Sequence, residues 1–468
     1  MNSTYIRAIS FLAVATLLPG CEPSDSNSVA AQSANQSTLF FGARLLIGDG
    51  SIIEDGALLI EGSTITAVGA ALDLEAPAGV NRVDLRGRTV MPTMIDAHAH
   101  LGYEGYTSWG AEHYSRETLM DHLNRYAYYG YSAVFSAGSD PDDLSLRLQA
   151  EQRSGDVGGA QFLFAAGMGP PGQGPNDRFL THALSIQEST GMTVLRGLES
   201  PDQARAMARE VAAKGIPFIK IWVDDRGGSQ DKLTSELYRP LIDEARQQGL
   251  KVFVHQQFAS DMPDLLAAGV DGFLHGRLGP ELGRELADQI AAAGAFLVPN
   301  LGLGELRQER VASDAFMQEI VPQRVVNRLG EAFDQRPQSS SGSDQEQALQ
   351  ESMAHLLAAG VDIVLGTDAG AVPDHFFGYT GHRELEIFVR LGMTPMQAIV
   401  AATSRPAQRL GLDQLGTLTP GKRADFIVLA ENPLMDIRNT RSIASVYQAG
   451  RRLDRDALRD NWLAAAAR

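Results

Sequence analysis

An α/β chain, built as a (β/α)8 TIM barrel with a small β-sandwich domain formed from both chain ends, is the architecture this sequence predicts. Three observations carry the prediction. Between residues 93 and 410, short apolar runs alternate with helix-like segments. Residues 39–92 and 411–468 share another texture, rich in turns and in alternating apolar and polar residues. The C-terminal ends of the central runs hold His, Lys and Asp, where a barrel carries its chemistry.

The chain opens as an exported protein. Arg7 precedes the apolar run AISFLAVATLL (Ala8 to Leu18), too short to span a bilayer. LPGC follows and ends at Cys21, the single cysteine. The motif is similar to a bacterial lipobox, which makes residues 1–21 a signal peptide and Cys21 a lipidation site. A plain secretory signal cleaved nearby is the alternative. Polar residues 22–38 read as a flexible tether. The expected location is the bacterial cell envelope, as a periplasmic or outer-membrane lipoprotein held to the membrane only by its lipid.

LFFGARLLIGDG, GALLIEGSTITAVG and RVDLRGRTV form the N-terminal part of the β domain, and GKRADFIVLAENPL and SIASVYQAGRRL form its C-terminal part. Eight runs supply the barrel strands: TVMPTMI, YSAVFSA, AQFLFAA, PFIKIWV, KVFVHQ, DGFLHG, AFLVPN and VDIVLGTDAG. Helical stretches lie between them, among them SPDQARAMAREVAAKG with Ser200 as cap and SDMPDLLAAG with Ser260 as cap. RPQSSSGSDQEQ (Arg336 to Gln347) reads as a mobile loop before the last strand.

Composition narrows the function. Hydrophobic residues make up 44% and the formal net charge is −17. A chain this acidic lacks the basic surface that phosphate backbones require, so nucleic acid is not an expected partner. A small-molecule substrate is expected, and a homo-oligomer is compatible with the composition. One cysteine excludes an internal disulfide and a thiolate-rich zinc site. Any metal is held by imidazole, carboxylate or a modified side chain.

The strand ends supply such a set. In VMPTMIDAHAHLG, His98 and His100 are two apart and share a strand face. Lys220 lies in the fourth run, His255 ends the fifth, His275 the sixth and Asp368 the eighth. Singly, each histidine reads as a structural residue, Lys220 as a snorkelling lysine and Asp368 as a turn residue. Six such residues on one rim are better explained by metal binding. Imidazole and carboxylate without thiolate suit Zn, with Mn, Co or Ni as alternatives. A neutral Lys220 N-carboxylated by CO2 becomes a carbamate that bridges two divalent ions. Phe218, Ile219, Ile221 and Trp222 around it favour the neutral amine.

These residues, with the C-terminal run GMTPMQAIVAATSRPAQRLGL…LGTLTPGKRADFIVLAENPL, resemble the amidohydrolase superfamily of metal-dependent hydrolases. The likeness runs from about Leu39 to Leu453, and its C-terminal run is close to the imidazolonepropionase-like and Xaa-Pro dipeptidase-like branch. It implies His98, His100 and Asp368 on one ion, His255 and His275 on the other, and carbamylated Lys220 between them. It also implies an amide or peptide-like C–N bond attacked by a metal-bridging hydroxide, with Asp368 as catalytic proton carrier. An esterase, lactonase or phosphotriesterase on the same centre is the alternative. A mononuclear deaminase ranks lower, because HQQF after His255 lacks the usual Glu. A non-catalytic binding protein ranks lower too, because no ligand is missing.

The substrate loops depart from this branch. Ser136 stands near the place of an arginine, and IWVDDRGG replaces the run that usually follows the lysine. Loop position alone nominates Tyr103, Tyr106, His182, Trp222, Asp224 and Arg226 as substrate contacts, with Arg226 on a carboxylate. His382 joins them from GHRELEIF, where it and Glu384 match a recurrent family pattern and suit a role in organising the site.

Overall fold

Alternating strands at both ends of a chain need partners, and here each end completes the other. The computed structural model describes residues 37–105, 108–306, 309–335, 343–372 and 375–465. Ser37–Leu46 pairs antiparallel with Ile52–Glu61, and that strand with Thr64–Ala70. Thr89–Pro92 runs parallel to the first strand and antiparallel to Phe426–Leu429 from the far end of the chain. Ile443–Gln448 and Arg451–Arg452 extend that edge. Hydrogen bonds thus join the expected sandwich into one eight-stranded sheet. It curls, so that Phe40 meets Phe426 and Tyr447 with ring centroids 5.1 and 5.0 Å apart. Register shifts in the first strand supply part of the bend.

The barrel strands are Met94–Ala99, Tyr131–Ser136, a third strand bent at Ala165 (Gln161–Phe164 and Ala166–Gly169), Phe218–Val223, Lys251–Gln256, Gly272–Leu274, Phe296–Val298 and Asp362–Ile363. Neighbours pair in parallel, and Leu195–Gly197 adds a short strand beside the third. Backbone bonds close the ring between last and first strands: Ala97 N donates to Leu365 O, and Asp368 N to His98 O at 2.7 Å. Each strand buries both faces. Phe135, Phe218, Phe253 and Phe296 fill the interior, while Ile219, Ile221, Val252 and Val254 pack outward against the helices.

Two local expectations change. Ser200 does cap Pro201–Ala213, accepting from Gln203 N. Ser260 caps nothing: it sits in a 3-10 turn, Ala259–Asp261, because the Asp261 carboxylate folds back to accept from Phe258 N and the helix begins at Met262. Of the loop expected over Arg336 to Gln347, residues 343–347 are the first turn of the helix Ser343–Ala359, where acidic Asp344 and Glu346 suit its N-terminus. The remainder, and Cys21, lie outside the described residues. No helix among the described residues is long and apolar enough to cross a membrane.

Candidate metal centre

Simple alternation does not carry His98 to the barrel mouth. Ile95 and Ala97 point into the interior, so the next inward residue would be Ala99. Instead the register against the second strand slips by one residue between Asp96 and Ala99. The slip turns Ala99 outward, to the helix side, and leaves His98 and His100 facing Asp368. Asp96 holds the bulge. Its buried carboxylate accepts from His98 N (3.1 Å), Thr367 N (3.1 Å), Thr367 Oγ1 (2.6 Å) and Tyr126 OH (2.7 Å), which ties the first strand to the eighth. Burial pushes Asp96 up to about 6, and these four donors oppose that rise.

His275 follows inward Leu274 and would face outward on a regular strand. Its φ of 146° turns it to the mouth, and Asp368 is aimed likewise at φ 59°. Lys220 and His255 need no such device. Phe218 and Lys220 alternate inward on one strand, and Phe253 and His255 on the next. Gly138 makes room, since a Cβ there would lie 2.7 Å from Lys220 Cβ.

The ligand atoms converge on Asp368. His98 Nε2 and His100 Nε2 lie 3.3 and 3.2 Å from its Oδ1, and His275 Nε2 lies 3.9 Å from its Oδ2. A tetrahedral ion about 2.0–2.1 Å from each ligand needs its ligand atoms about 3.3 Å apart. His98 Nε2 and Asp368 Oδ1 are both buried without a hydrogen-bond partner. The opposite ring nitrogens are engaged: His98 Nδ1 with Asn300 Oδ1 at 3.0 Å, and His100 Nδ1 with Ser139 Oγ at 2.8 Å. Asn300 can only accept through that oxygen, so His98 carries its proton on Nδ1 and keeps the Nε2 lone pair free. His98, His275 and Asp368 form one compact group, and these residues fit a divalent cation.

Electrostatics favours the same reading. Burial pushes His98, His255 and His275 well below the ordinary imidazole value, leaving them neutral. Burial raises Asp368, but His98, His100 and Lys220 outweigh it and hold the carboxyl low. Burial pushes the Lys220 amine down to about 7, against the pull of Asp368 and with help from Arg226 and Arg277. A neutral amine is the form that adds CO2.

His255 is placed differently. Its ring packs 4.5 Å from that of His275, yet its Nε2 faces Asp224 Oδ2 (2.7 Å), Arg226 Nη1 (3.1 Å) and Arg277 Nη2 (3.3 Å).

A pocket of about 280 Å³ opens over these groups, lined among others by Lys220, Trp222, Asp224, Arg226, Arg277 and Asp368. Three of the nominated contacts, Trp222, Asp224 and Arg226, therefore face it. Others do not. Tyr103 is fully buried with its OH donating to Ser139 O, and His182 Nδ1 accepts from Ala111 N beside Trp109. His382 is corrected outright as a substrate contact. Its Nδ1 meets Thr440 Oγ1 and its Nε2 meets Tyr129 O, so it joins the last barrel helix to the C-terminal segment and has no free nitrogen. Tyr106 lies outside the described residues. Arg277, Asn300 and Ser139 were not foreseen. Arg277 had a signal, standing two residues after His275. Asn300 had a weaker one, as an asparagine at a strand end, and it adopts φ 53° there.

The amidohydrolase family model matches residues 89–453. The chain belongs to the amidohydrolase family. Among curated relatives, an imidazolonepropionase of Deinococcus deserti is 26% identical over 86% of this chain and 92% of its own. An ochratoxinase of Aspergillus niger is 23% identical over 90% of this chain and 88% of its own. A solved molinate hydrolase superposes with a TM-score of 0.70 at 22% identity, covering 91% of this chain and 96% of its own. A Xaa-Pro dipeptidase solved with methionine bound gives 0.66 at 24%, covering 89% and 100%. Both share this amidohydrolase barrel and its attached sheet.

Proposed function

We propose that this chain hydrolyses an amide or peptide-like C–N bond of a small molecule, such as a dipeptide or an N-acyl amino acid, at a centre of two divalent metal ions. One observation carries the reading. Three imidazoles and an ionised carboxylate converge beside a buried lysine, with His98 Nε2 and Asp368 Oδ1 unpartnered, in a chain of this family. His98, His100, His275 and Asp368 would hold the first ion, and Lys220, as its carbamate, and His255 the second. Bound ions would supply Lewis acidity and a more acidic water. The chain's own residues do the rest. Asp368 takes the proton from the attacking water and passes it to the leaving amine nitrogen. Asn300 and Ser139 keep the imidazoles oriented. Phe179, Trp222 and Leu303 restrict water in the pocket.

A second reading rests on the placement of His255. With its Nε2 held by Asp224, one ion at His98, His275 and Asp368 is the simpler state. Metal analysis of the purified chain separates the two: about two ions per chain supports the first reading and about one the second. A screen of dipeptides, N-acyl amino acids, lactones and phosphotriesters tests the bond. Turnover confined to lactones or phosphotriesters would overturn the amide reading. Export and lipidation at Cys21 belong to the same proposal, and the mass of the mature N-terminus tests them.

A further inference from the structure

Two arginines share one side of the pocket. Arg226 follows the fourth strand at φ 55°, and Arg277 follows the sixth at φ 50°, so they flank His255 on the fifth. Their guanidinium nitrogens lie 3.1 and 3.3 Å from the same His255 Nε2. Each is braced from behind. Arg226 donates to Asp224 Oδ2 (2.9 Å) and Gly174 O (2.8 Å), and Arg277 donates twice to Gln256 O (2.9 and 2.6 Å). Donors are left over. Arg226 Nε is buried without a partner, and Arg277 Nη1 makes no hydrogen bond among the described residues.

Charge points the same way. Asp224 is the ion-pair partner of Arg226, while no carboxylate stands within 4.0 Å of Arg277 among the described residues. A largely buried guanidinium without a counter-ion costs free energy, and an anionic ligand offsets that cost. Two forks side by side match the two oxygens of a carboxylate. The lining also includes the apolar side chains of Phe179, Leu303 and Val372. The pocket, of about 280 Å³, has room for a ligand the size of a dipeptide.

We propose that Arg226 and Arg277 form a carboxylate-binding pair, and that the substrate is an amide with a free carboxylate on its leaving amine and an apolar acyl group. This rests on the amide-hydrolase reading above. In such a ligand the carboxylate sits between the two arginines, the acyl group lies against Phe179 and Leu303, and the scissile carbonyl lies between them near Asp368.

The test uses the metal-loaded full chain and two probes that cannot be hydrolysed, 3-benzoylpropanoate and its neutral methyl-ketone analogue, 1-phenylpentane-1,4-dione. In both, a methylene replaces the amide nitrogen of an N-benzoylglycine skeleton. Calorimetry is expected to show the acid binding about 10–100-fold more tightly than the methyl ketone. Arg277→Gln should shrink that ratio to about threefold or less, and Arg277→Lys should restore part of it. Both variants should melt close to the parent. Equal binding of acid and methyl ketone by the unmodified protein, or no binding of either, overturns the proposal without reference to any variant. Loss of both affinities to the same extent in Arg277→Gln and Arg277→Lys overturns it as well. N-benzoylglycine is assayed separately for hydrolysis. If it is inert while the acid probe binds with arginine-dependent selectivity, the arginine pair stands and the amide-hydrolase reading fails for that substrate.

Discussion

Two routes bring functional groups to this barrel mouth, and they differ in how far the backbone has to bend. On the fourth and fifth strands, Lys220 and His255 arrive by regular pleating above Phe218 and Phe253. On the first, sixth and eighth strands, a bulge delivers His98 and left-handed backbone delivers His275 and Asp368. Of the seven non-glycine residues with positive φ among the described residues, five stand at this rim: Arg226, His275, Arg277, Asn300 and Asp368. Straight strands place side chains at low cost but two residues apart. Bent backbone costs on the order of 1–3 kcal/mol per residue, and it lets imidazole and carboxylate meet at one point. The bent half forms the compact ligand group, and the straight half supplies the lysine.

The largest effects should come from removing one group of each half. Lys220→Ala and Asp368→Asn should each lower kcat/KM by about 10³-fold or more, with circular dichroism and Tm near the parent. Full turnover of either variant after metal reloading would sink the mechanism. A backbone test of the bent half comes next. A Cβ on Gly370 would lie 1.9 Å from His100 O at φ 86°, so Gly370→Ala should destabilise the fold by about 2–4 kcal/mol and reduce metal content. Gly172, at φ 67° with nothing within 4 Å, should lose only about 1 kcal/mol as Gly172→Ala. Similar losses at both positions, measured by urea denaturation, would break the comparison.

Asn300 separates strain from ligand orientation. Asn300→Gly keeps the φ of 53° accessible but removes the bond to His98 Nδ1. Metal affinity should fall about 10–100-fold in both Asn300→Gly and Asn300→Ala, with the alanine variant alone losing stability as well. Unchanged affinity in the glycine variant would remove Asn300 from the site.

The smallest effect is a pH dependence beneath the rim. Glu384 accepts from Leu301 N and Gly302 N, next to Asn300, and burial pushes it up to about 8. The folded chain then holds a proton that the unfolded chain releases between pH 4.5 and 8. Its contribution is complete below pH 4.5 and is lost as pH rises through 8. His382, pushed down to about 3 by burial, acts in the opposite sense, losing its contribution as pH falls from 6.5 toward 3. Glu384→Gln should therefore flatten the fall in Tm between pH 4.5 and 8 by about 2–5 °C. An unaltered profile would mean that Glu384 titrates normally.

How far the site could be read in advance follows the same division. Lys220, His255 and the barrel strands were legible because period-2 alternation and apolar runs are local properties of the chain. His98, His275 and Asp368 were legible as residue types at strand ends, but not the bends that aim them. Trp222, Asp224 and Arg226 follow their strand directly into the pocket. Tyr103, His182 and His382 instead spend their polar atoms on Ser139, Ala111, Thr440 and Tyr129, which a linear reading cannot foresee.

By itself, then, the sequence determined the βα alternation, the joining of both chain ends in one small β domain, and a thiolate-free set of potential ligands. Each follows from composition and short-range periodicity. Only the tertiary structure decided that His275 joins His98 at Asp368, that His255 turns to Asp224, and that Arg277 comes beside Arg226. Those choices depend on a one-residue register slip and a few φ angles, which are set by contacts between residues up to 271 positions apart, such as Asp96 and Thr367.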